Sequence, residues 1–226
     1  MTYISTNAAM AISTLTPKPA PTPAGPSTKC SIKITKATPS QVPTIQSIIA
    51  SAFTRYIPVL GRLPTPMQAD FDEILRTPGR AVYVLSDTSF NSLSNTAASW
   101  SSSHSHTIPL GRAYILATMT IRIPDPASDD SIDEETKSVA YKDAMQVNYF
   151  AVSPSAQGHG YGRVLLKFAE AKVREEGKSA VMLFTGENFH ESIAFYKKLG
   201  FREVGRGPKR QRVYMRKELR TSDSAL

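Results

Sequence analysis

Residues 151–162 read Ala151-Val152-Ser153-Pro154-Ser155-Ala156-Gln157-Gly158-His159-Gly160-Tyr161-Gly162. The apolar run 145–152 before the turn has strand character. The stretch 162–176 after it places Val164, Leu165, Phe168, Ala169 and Val173 on one helical face, with Gly177 as a stop signal. A strand therefore enters a glycine-rich turn that opens directly onto a helix. Gly158, Gly160 and Gly162 permit positive φ and close approach of the backbone to a ligand. The first turn of a helix has N–H groups without intrahelical partners, and with the helix dipole these form a site for an anion such as phosphate. Alone, the glycines are weak evidence of phosphate binding and could instead serve only a tight strand–helix turn. No Gly-Lys-Ser/Thr follows, which excludes a P-loop, and G-x-G-x-G late in the chain is not the dinucleotide fingerprint.

Downstream, 180–184 is a short apolar strand. Asn188 and Glu191 form a capping pair for a helix ending at Gly200, and 201–204 and 212–216 read as two more strands. Upstream, 31–36 alternates as a strand. A helix follows, with Ser40 as N-cap and Val42, Ile45, Ile48, Ile49, Ala52 and Phe53 on one face. A second helix opens at Thr65-Pro66-Met67-Gln68, a capping-box pattern, and ends at Pro78-Gly79. Strands at 81–85 and 111–123 complete the order β-α-α-β-β-β-α-β-α-β-β. This is an α/β (α+β) chain with a mixed sheet and helices on its faces, and it has no internal repeat.

The 226 residues allow one domain plus tails. Hydrophobic residues make up 41%, and no apolar run approaches the ~18 residues of a membrane span, so a soluble protein is expected. Cys30 is the only cysteine, which rules out an intrachain disulfide and suits a reducing compartment. The net charge is +8. Basic residues concentrate between Arg202 and Arg220, mostly alternating along two strands, and read as a solvated sheet face. No aromatics interleave them, so nucleic acid is not expected. A basic balance also suits a cofactor with several phosphates. Residues 1–29 carry five prolines and no acidic residue, and read as a disordered tail. Residues 88–107 read as a polar surface insertion, and the acidic stretch 125–135 as a mobile loop. The expected organisation is a tail (1–29), one domain (30–220) interrupted near 88–109 and 125–141, and a short tail (221–226).

Residues 157–162 resemble the (Arg/Gln)-x-x-Gly-x-(Gly/Ala) signature of the GNAT acetyltransferases, and Val152-Ser153-Pro154 matches the V-x-P that leads into it. Tyr196-Lys197-Lys198-Leu199-Gly200-Phe201 resembles the superfamily's second landmark, Y-x-x-x-G-F, at the expected helix-and-strand separation. The resemblance covers about 31–219. Tyr56-Ile57, the stretch 61–67 and Leu183-Phe184-Thr185 are similar to a group of small microbial members of mostly unassigned substrate.

The resemblance implies a GNAT fold, with a mixed, mostly antiparallel twisted sheet, about four helices and splayed central strands. It implies acetyl-CoA as co-substrate and no metal. The N–H groups of Gly158, His159, Gly160, Tyr161 and Gly162, with Gln157 beside them, would hold the CoA pyrophosphate. Phe150, Ala151 and Val152 would pair with the pantetheine arm, and a backbone N–H there would polarise the thioester carbonyl. Tyr196 would protonate the departing thiolate. Ser192 suits the small-residue position four before it. The family's asparagine seven before the tyrosine is Phe189 here, with Asn188 adjacent. The strand glutamate that often serves as base is missing from Val147-Asn148-Tyr149, which leaves Asp143, water, another strand or solvent. His104 and His106 lack a third metal ligand. The implied partner is a small-molecule primary amine, attacked directly in a ternary complex; by its charge the acidic stretch 125–135 would attract a cationic acceptor of either kind, small amine or protein. A protein or peptide acceptor and a non-catalytic CoA-binding fold are the alternatives. No nucleic acid and no membrane are expected. A homodimer is left open, and the compartment is the cytoplasm, with the nucleus as the alternative.

Overall fold

The computed structural model describes residues 32–87, 114–130 and 132–219. Seven strands form one sheet in the order β1-β2-β3-β4-β5-β7-β6. They are β1 (Ile32–Lys36), β2 (Arg80–Asp87), β3 (Tyr114–Arg122), β4 (Ala144–Val152), β5 (Ala180–Gly186), β6 (Arg202–Gly207) and β7 (Arg212–Glu218). Neighbours are antiparallel except β4 and β5, which run parallel. A parallel step needs a crossover, and α5 (Tyr161–Glu175) supplies it. The other α-helices are α1 (Val42–Phe53), α2 (Ile57–Leu60), α3 (Phe71–Arg76), α4 (Glu134–Tyr141) and α6 (His190–Lys198).

The two-residue period of the strands divides the core between the faces of the sheet. On one face Val82 and Val84 pack with Ile45 and Ile49 of α1 and Phe71 of α3. On the other, Tyr83 and Leu85 pack with Leu165 and Ala169 of α5. A third cluster joins Ala140 and Tyr141 of α4 to Met182 and Tyr214.

The sheet is split at its parallel step. β4 and β5 pair only from Ala144↔Ala180 to Gln146↔Met182. Beyond that, β4 stays with β3 as far as Val152↔Ala117, and β5 stays with β7 as far as Gly186↔Arg212. A bulge accompanies the split. Thr118 pairs with Ala151 and Thr120 with Asn148, so Tyr149 and Phe150 together oppose Met119. Tyr149 takes φ +48°. A bulge bends its strand and raises the local twist, which turns the end of β4 away from β5.

The structure departs from the sequence reading in five places, one of them the start of α6, where Phe189 is the N-cap without a side-chain cap in place of the expected Asn188–Glu191 pair. Residues 65–68 form a 3-10 turn, Ala69 and Asp70 are extended, and α3 begins at Phe71. Asp70 accepts from Glu73 N–H (3.0 Å), and an aspartate cap outcompeted the pattern at Thr65. Similarly, Thr38 and Gln41 cap the turn that leads into α1, in place of Ser40. The acidic stretch contains α4, where a mobile loop was expected. Asp133 caps it by accepting from Thr136 N–H (2.7 Å), and Glu134 and Glu135 suit the positive end of the helix dipole. Asp129, 6% exposed, accepts from the hydroxyls of Tyr141 (2.6 Å) and Tyr214 (2.5 Å). Finally, the basic C-terminal strands are not simply a solvated face. Arg216 is 7% exposed and donates to the Lys142 and Ala140 carbonyls at the end of α4.

The tails 1–29 and 221–226, Cys30, the expected insertion 88–109 with His104 and His106, and positions 111–113 lie outside the described residues. Among the described residues, no helix is long and apolar enough to cross a membrane.

Candidate active site

The wedge between β4 and β5 opens into a cavity of about 880 Å³. Residues 147–152 of β4 and 183–186 of β5 form its flanks, and Ser192, Phe195 and Tyr196 of α6 complete the second side. The glycine turn closes its downstream end. Gly158 and Gly160 adopt φ +83° and +82°, and Gly160 is the N-cap of α5. L side chains rarely adopt that backbone conformation. The Val164 N–H reaches back to Gly160 (3.1 Å), so the N–H groups of 161–163 precede the first helical bond. Gly162 is constrained by space. A Cβ there would stand 3.2 Å from Phe195 Cζ and 3.3 Å from Phe150 Cζ.

The other side chains of the turn are partly committed to structure. Gln157 Nε2 donates to the Val152 carbonyl (3.1 Å) and ties the turn to β4. The exposed His159 lies with Nδ1 3.0 Å from the Gln157 carbonyl oxygen. Tyr161 is buried, and its hydroxyl donates to Asp87 Oδ2 (2.9 Å) at the end of β2. That contact crosses from α5 to β2, so the Tyr161 side chain anchors the turn and its backbone faces the cavity end.

Tyr196 is 8% exposed and packs against Phe150, Phe195 and Phe201, with ring centroids 6.2, 5.4 and 5.7 Å away. Burial pushes its phenol well above the ordinary range, and Tyr56 adds to the rise. The group is held protonated. Ahead of it on α6, Phe189 stacks on Tyr56 at 3.8 Å and 18°. The Tyr56 hydroxyl lies 3.3 Å from Ser192 Oγ, and Arg55 pairs with Glu191 at 2.8 Å. These contacts fasten residues 54–60 to α6 as a roof. Ser192 thus spends its hydroxyl on Tyr56, while Asn188 stands exposed at the cavity rim.

The upstream wall was not foreseen. Arg80, Thr120, Arg122 and Tyr149 line it beside Asn148. Arg122 Nε donates to Gln146 Oε1 (2.9 Å) and, with the Asn148 amide oxygen turned toward it, to Asn148 as well (3.0 Å). Asp143 is excluded as the base. It accepts from Ser179 N–H (3.0 Å), pairs with Lys178 (3.3 Å) and does not line the cavity. Those two partners, Ser179 first, hold its carboxyl below the usual range. None of the acidic residues of 125–135 lines the cavity either. Its carboxylates are Glu187 and Glu191. The upstream residues come from three strands, and the one local signal was an arginine ending an otherwise apolar run, Ile121-Arg122.

The cavity of this α/β protein thus lies at a split parallel step, with a helix N-terminus at its mouth and a buried tyrosine on its flank. Residues 79–201 match the acetyltransferase (GNAT) family, more than half of the chain, and the protein belongs to that family. It is 41% identical over 56 residues to the mycothiol acetyltransferase of Thermomonospora curvata, a match spanning 25% of this chain and 19% of that protein. Among solved structures it is similar to a GNAT-family acetyltransferase of Staphylococcus aureus (TM-score 0.57, 15% identity, 84% of this chain and 100% of that one). It is similar too to the PaiA N-acetyltransferase of Thermoplasma acidophilum in complex with coenzyme A (TM-score 0.53, 13% identity, 83% of this chain and 99% of that one). At these identities the structures speak for the fold.

Proposed function

We propose that this protein transfers the acetyl group of acetyl-CoA to the primary amine of a small molecule, by direct attack in a ternary complex. One observation carries the reading. The split of β4 from β5 puts the glycine turn, the start of α5 and Tyr196 on a single cavity. These residues fit CoA. The N–H groups of 158–162 suit its pyrophosphate. Phe150, Ala151 and Val152 lie beyond the last β4–β5 pair, where backbone groups can meet an extended amide-bearing arm. Asn188 and Ser192 line the α6 side.

Acetyl-CoA supplies the acyl group: the amine nitrogen bonds to the thioester carbon and the C–S bond breaks. The bulge at Tyr149 and Phe150 takes an extra residue out of the β3–β4 ladder, giving an N–H for the carbonyl oxygen. Tyr196 gives its hydroxyl proton to the departing sulfur. A phenol, ordinarily near pKa ~10, is a weaker acid than a thiol near ~8.5, and burial weakens this one further, so the transfer depends on positioning. Asn148 takes no proton at neutral pH, so deprotonation of the incoming ammonium falls to water or to Glu187. The roof over the cavity favours a small acceptor over a protein chain.

Release of free CoA in the presence of panels of amines and peptides tests the reading. Turnover with small amines is expected. Turnover with peptides alone replaces it with a protein acetyltransferase. CoA binding without turnover on either panel replaces it with a non-catalytic fold.

A further inference from the structure

The upstream wall carries charge that acetyl transfer alone does not require. Arg80 and Arg122 are register partners across β2 and β3, and Thr120 and Asn148 are partners across β3 and β4. All four line the cavity. Gln146, fully buried, holds Arg122 by its Nε. The terminal guanidinium nitrogens of Arg122, and the side chain of Arg80, have no hydrogen-bonding or ion-pair partner among the described residues. Thr120 Oγ1 is fully buried and also unpartnered.

The electrostatics agree with this geometry. Desolvation, and then the charge of Arg80, push the Arg122 pKa down, while Tyr141, Tyr149 and Asp125 act weakly the other way. Six arginines line the cavity against two glutamates, one of them paired with Arg55, so the wall lacks a counter-charge of its own. Cofactor phosphates do not provide it. They belong to the glycine turn beyond Val152, and Asn148 lies four residues back along β4, roughly 13 Å at ~3.3 Å per residue.

We propose that the acceptor amine carries an oxyanion, a carboxylate or a phosphate, and that Arg122, Arg80 and Thr120 bind it. This rests on the acetyl-transfer reading and names the substrate class of that site. A guanidinium fork matches either oxyanion through two parallel N–H donors, and the Thr120 hydroxyl supplies a third. An acceptor without the anion leaves the buried Thr120 hydroxyl and the two half-buried guanidinium groups without that partner, which disfavours neutral amines at this wall.

The test is calorimetric titration of the full chain, saturated with CoA, using product-shaped probes. These are the twenty N-acetyl amino acids, N-acetylphosphoethanolamine and the methylamides of the same N-acetyl amino acids as neutral counterparts. At least one anionic probe is expected to bind about 10- to 100-fold more tightly than its neutral counterpart, the range set by hydrogen bonds to a charged group. Arg122→Gln should remove that preference while keeping the thermal shift on CoA addition. Arg80→Gln and Thr120→Val should each weaken anion binding, and they carry the test if Arg122→Gln fails to fold. Tighter binding of the carboxylates or of the phosphate identifies which anion is used. Neutral probes binding as tightly as acids, or no anionic probe binding a protein that does take up CoA, overturns the proposal and leaves acetyl transfer standing. Failure to bind CoA at all overturns both.

Discussion

The two ends of strand β4 present opposite kinds of binding surface. Downstream of Tyr149 the surface is backbone: glycines in positive φ, first-turn N–H groups and a strand edge with no partner in β5. Upstream it is side chains: Arg80, Thr120, Arg122 and Asn148, brought together from three strands by register. The bulge at Tyr149 separates them. A backbone surface can serve many sequences that share one ligand, which suits a cofactor. A side-chain surface is set residue by residue, which suits the acceptor.

The strongest way to break this comparison is to spoil the backbone end. Gly160→Glu forces a side chain into φ +82° and puts a negative charge at the anion site. In the native protein, CoA at a hundredfold excess over its dissociation constant should add about 2.7 kcal/mol of stability. At about 2–4 °C per kcal/mol for a chain of this size, the thermal midpoint should rise by roughly 5–10 °C. The variant should show no rise. A retained shift would move the cofactor away from the turn.

Tyr196 stands between the two ends. Tyr196→Phe should lower kcat about 100-fold with little change in CoA affinity, the low end for a general acid because a thiolate is a fair leaving group. Since its pKa is raised above the ordinary ~10, activity should climb with pH as the acceptor amine loses its proton, with no tyrosine-dependent decline below pH ~10. A descending limb near pH 8 that Tyr196→Phe abolishes would contradict the burial of this phenol. Loss of CoA binding in the variant would make the hydroxyl a positioning group.

The sequence was legible in proportion to how local each feature was. The glycine turn, α5 and the Tyr196 landmark are contiguous, and so are the periodic faces of α1 and α5. The split in the sheet was expected from the resemblance alone, because pairing between β4 and β5 leaves no local pattern. α4 was missed because Asp133, Glu134 and Glu135 were read as solvated charge, although an aspartate followed by two glutamates also spells a capped first turn. The Arg80–Arg122 pairing could not be seen at all: the partners lie 42 positions apart and meet only through the β2–β3 register. Arg216 and Asp129 were misread for the same reason, their partners being distant in sequence.

A smaller effect sharpens what the backbone end means. If Tyr161 serves the cofactor only through its N–H, Tyr161→Phe should leave CoA binding nearly intact. It removes a hydroxyl from the buried Asp87 carboxylate, and hydrogen bonds to charged groups contribute about 1.5–3 kcal/mol. The midpoint should therefore fall by several degrees while the CoA-induced rise persists. A variant as stable as the native protein that no longer binds CoA would bring the side chain into the site.

The smallest expected effect concerns the roof. Arg55 lines the cavity, but it is paired with Glu191, and the two side chains are 49% and 77% exposed. An exposed ion pair contributes about 0–1 kcal/mol, because both ions are well solvated and ordering two long side chains costs entropy. Arg55→Gln should therefore shift the midpoint by no more than about 2–4 °C, and by less as salt is added. Tyr56→Ala should cost more, since it removes the stack on Phe189, for which aromatic pairs contribute about 0.5–1.5 kcal/mol beyond area burial. Both variants should still bind CoA if its pyrophosphate is held at the glycine turn, as proposed. The informative quantity is acceptor KM. An unchanged KM in Arg55→Gln, beside a raised one in Arg122→Gln, confines anion recognition to the strands. A KM raised equally in both would extend the side-chain surface from the sheet onto the roof.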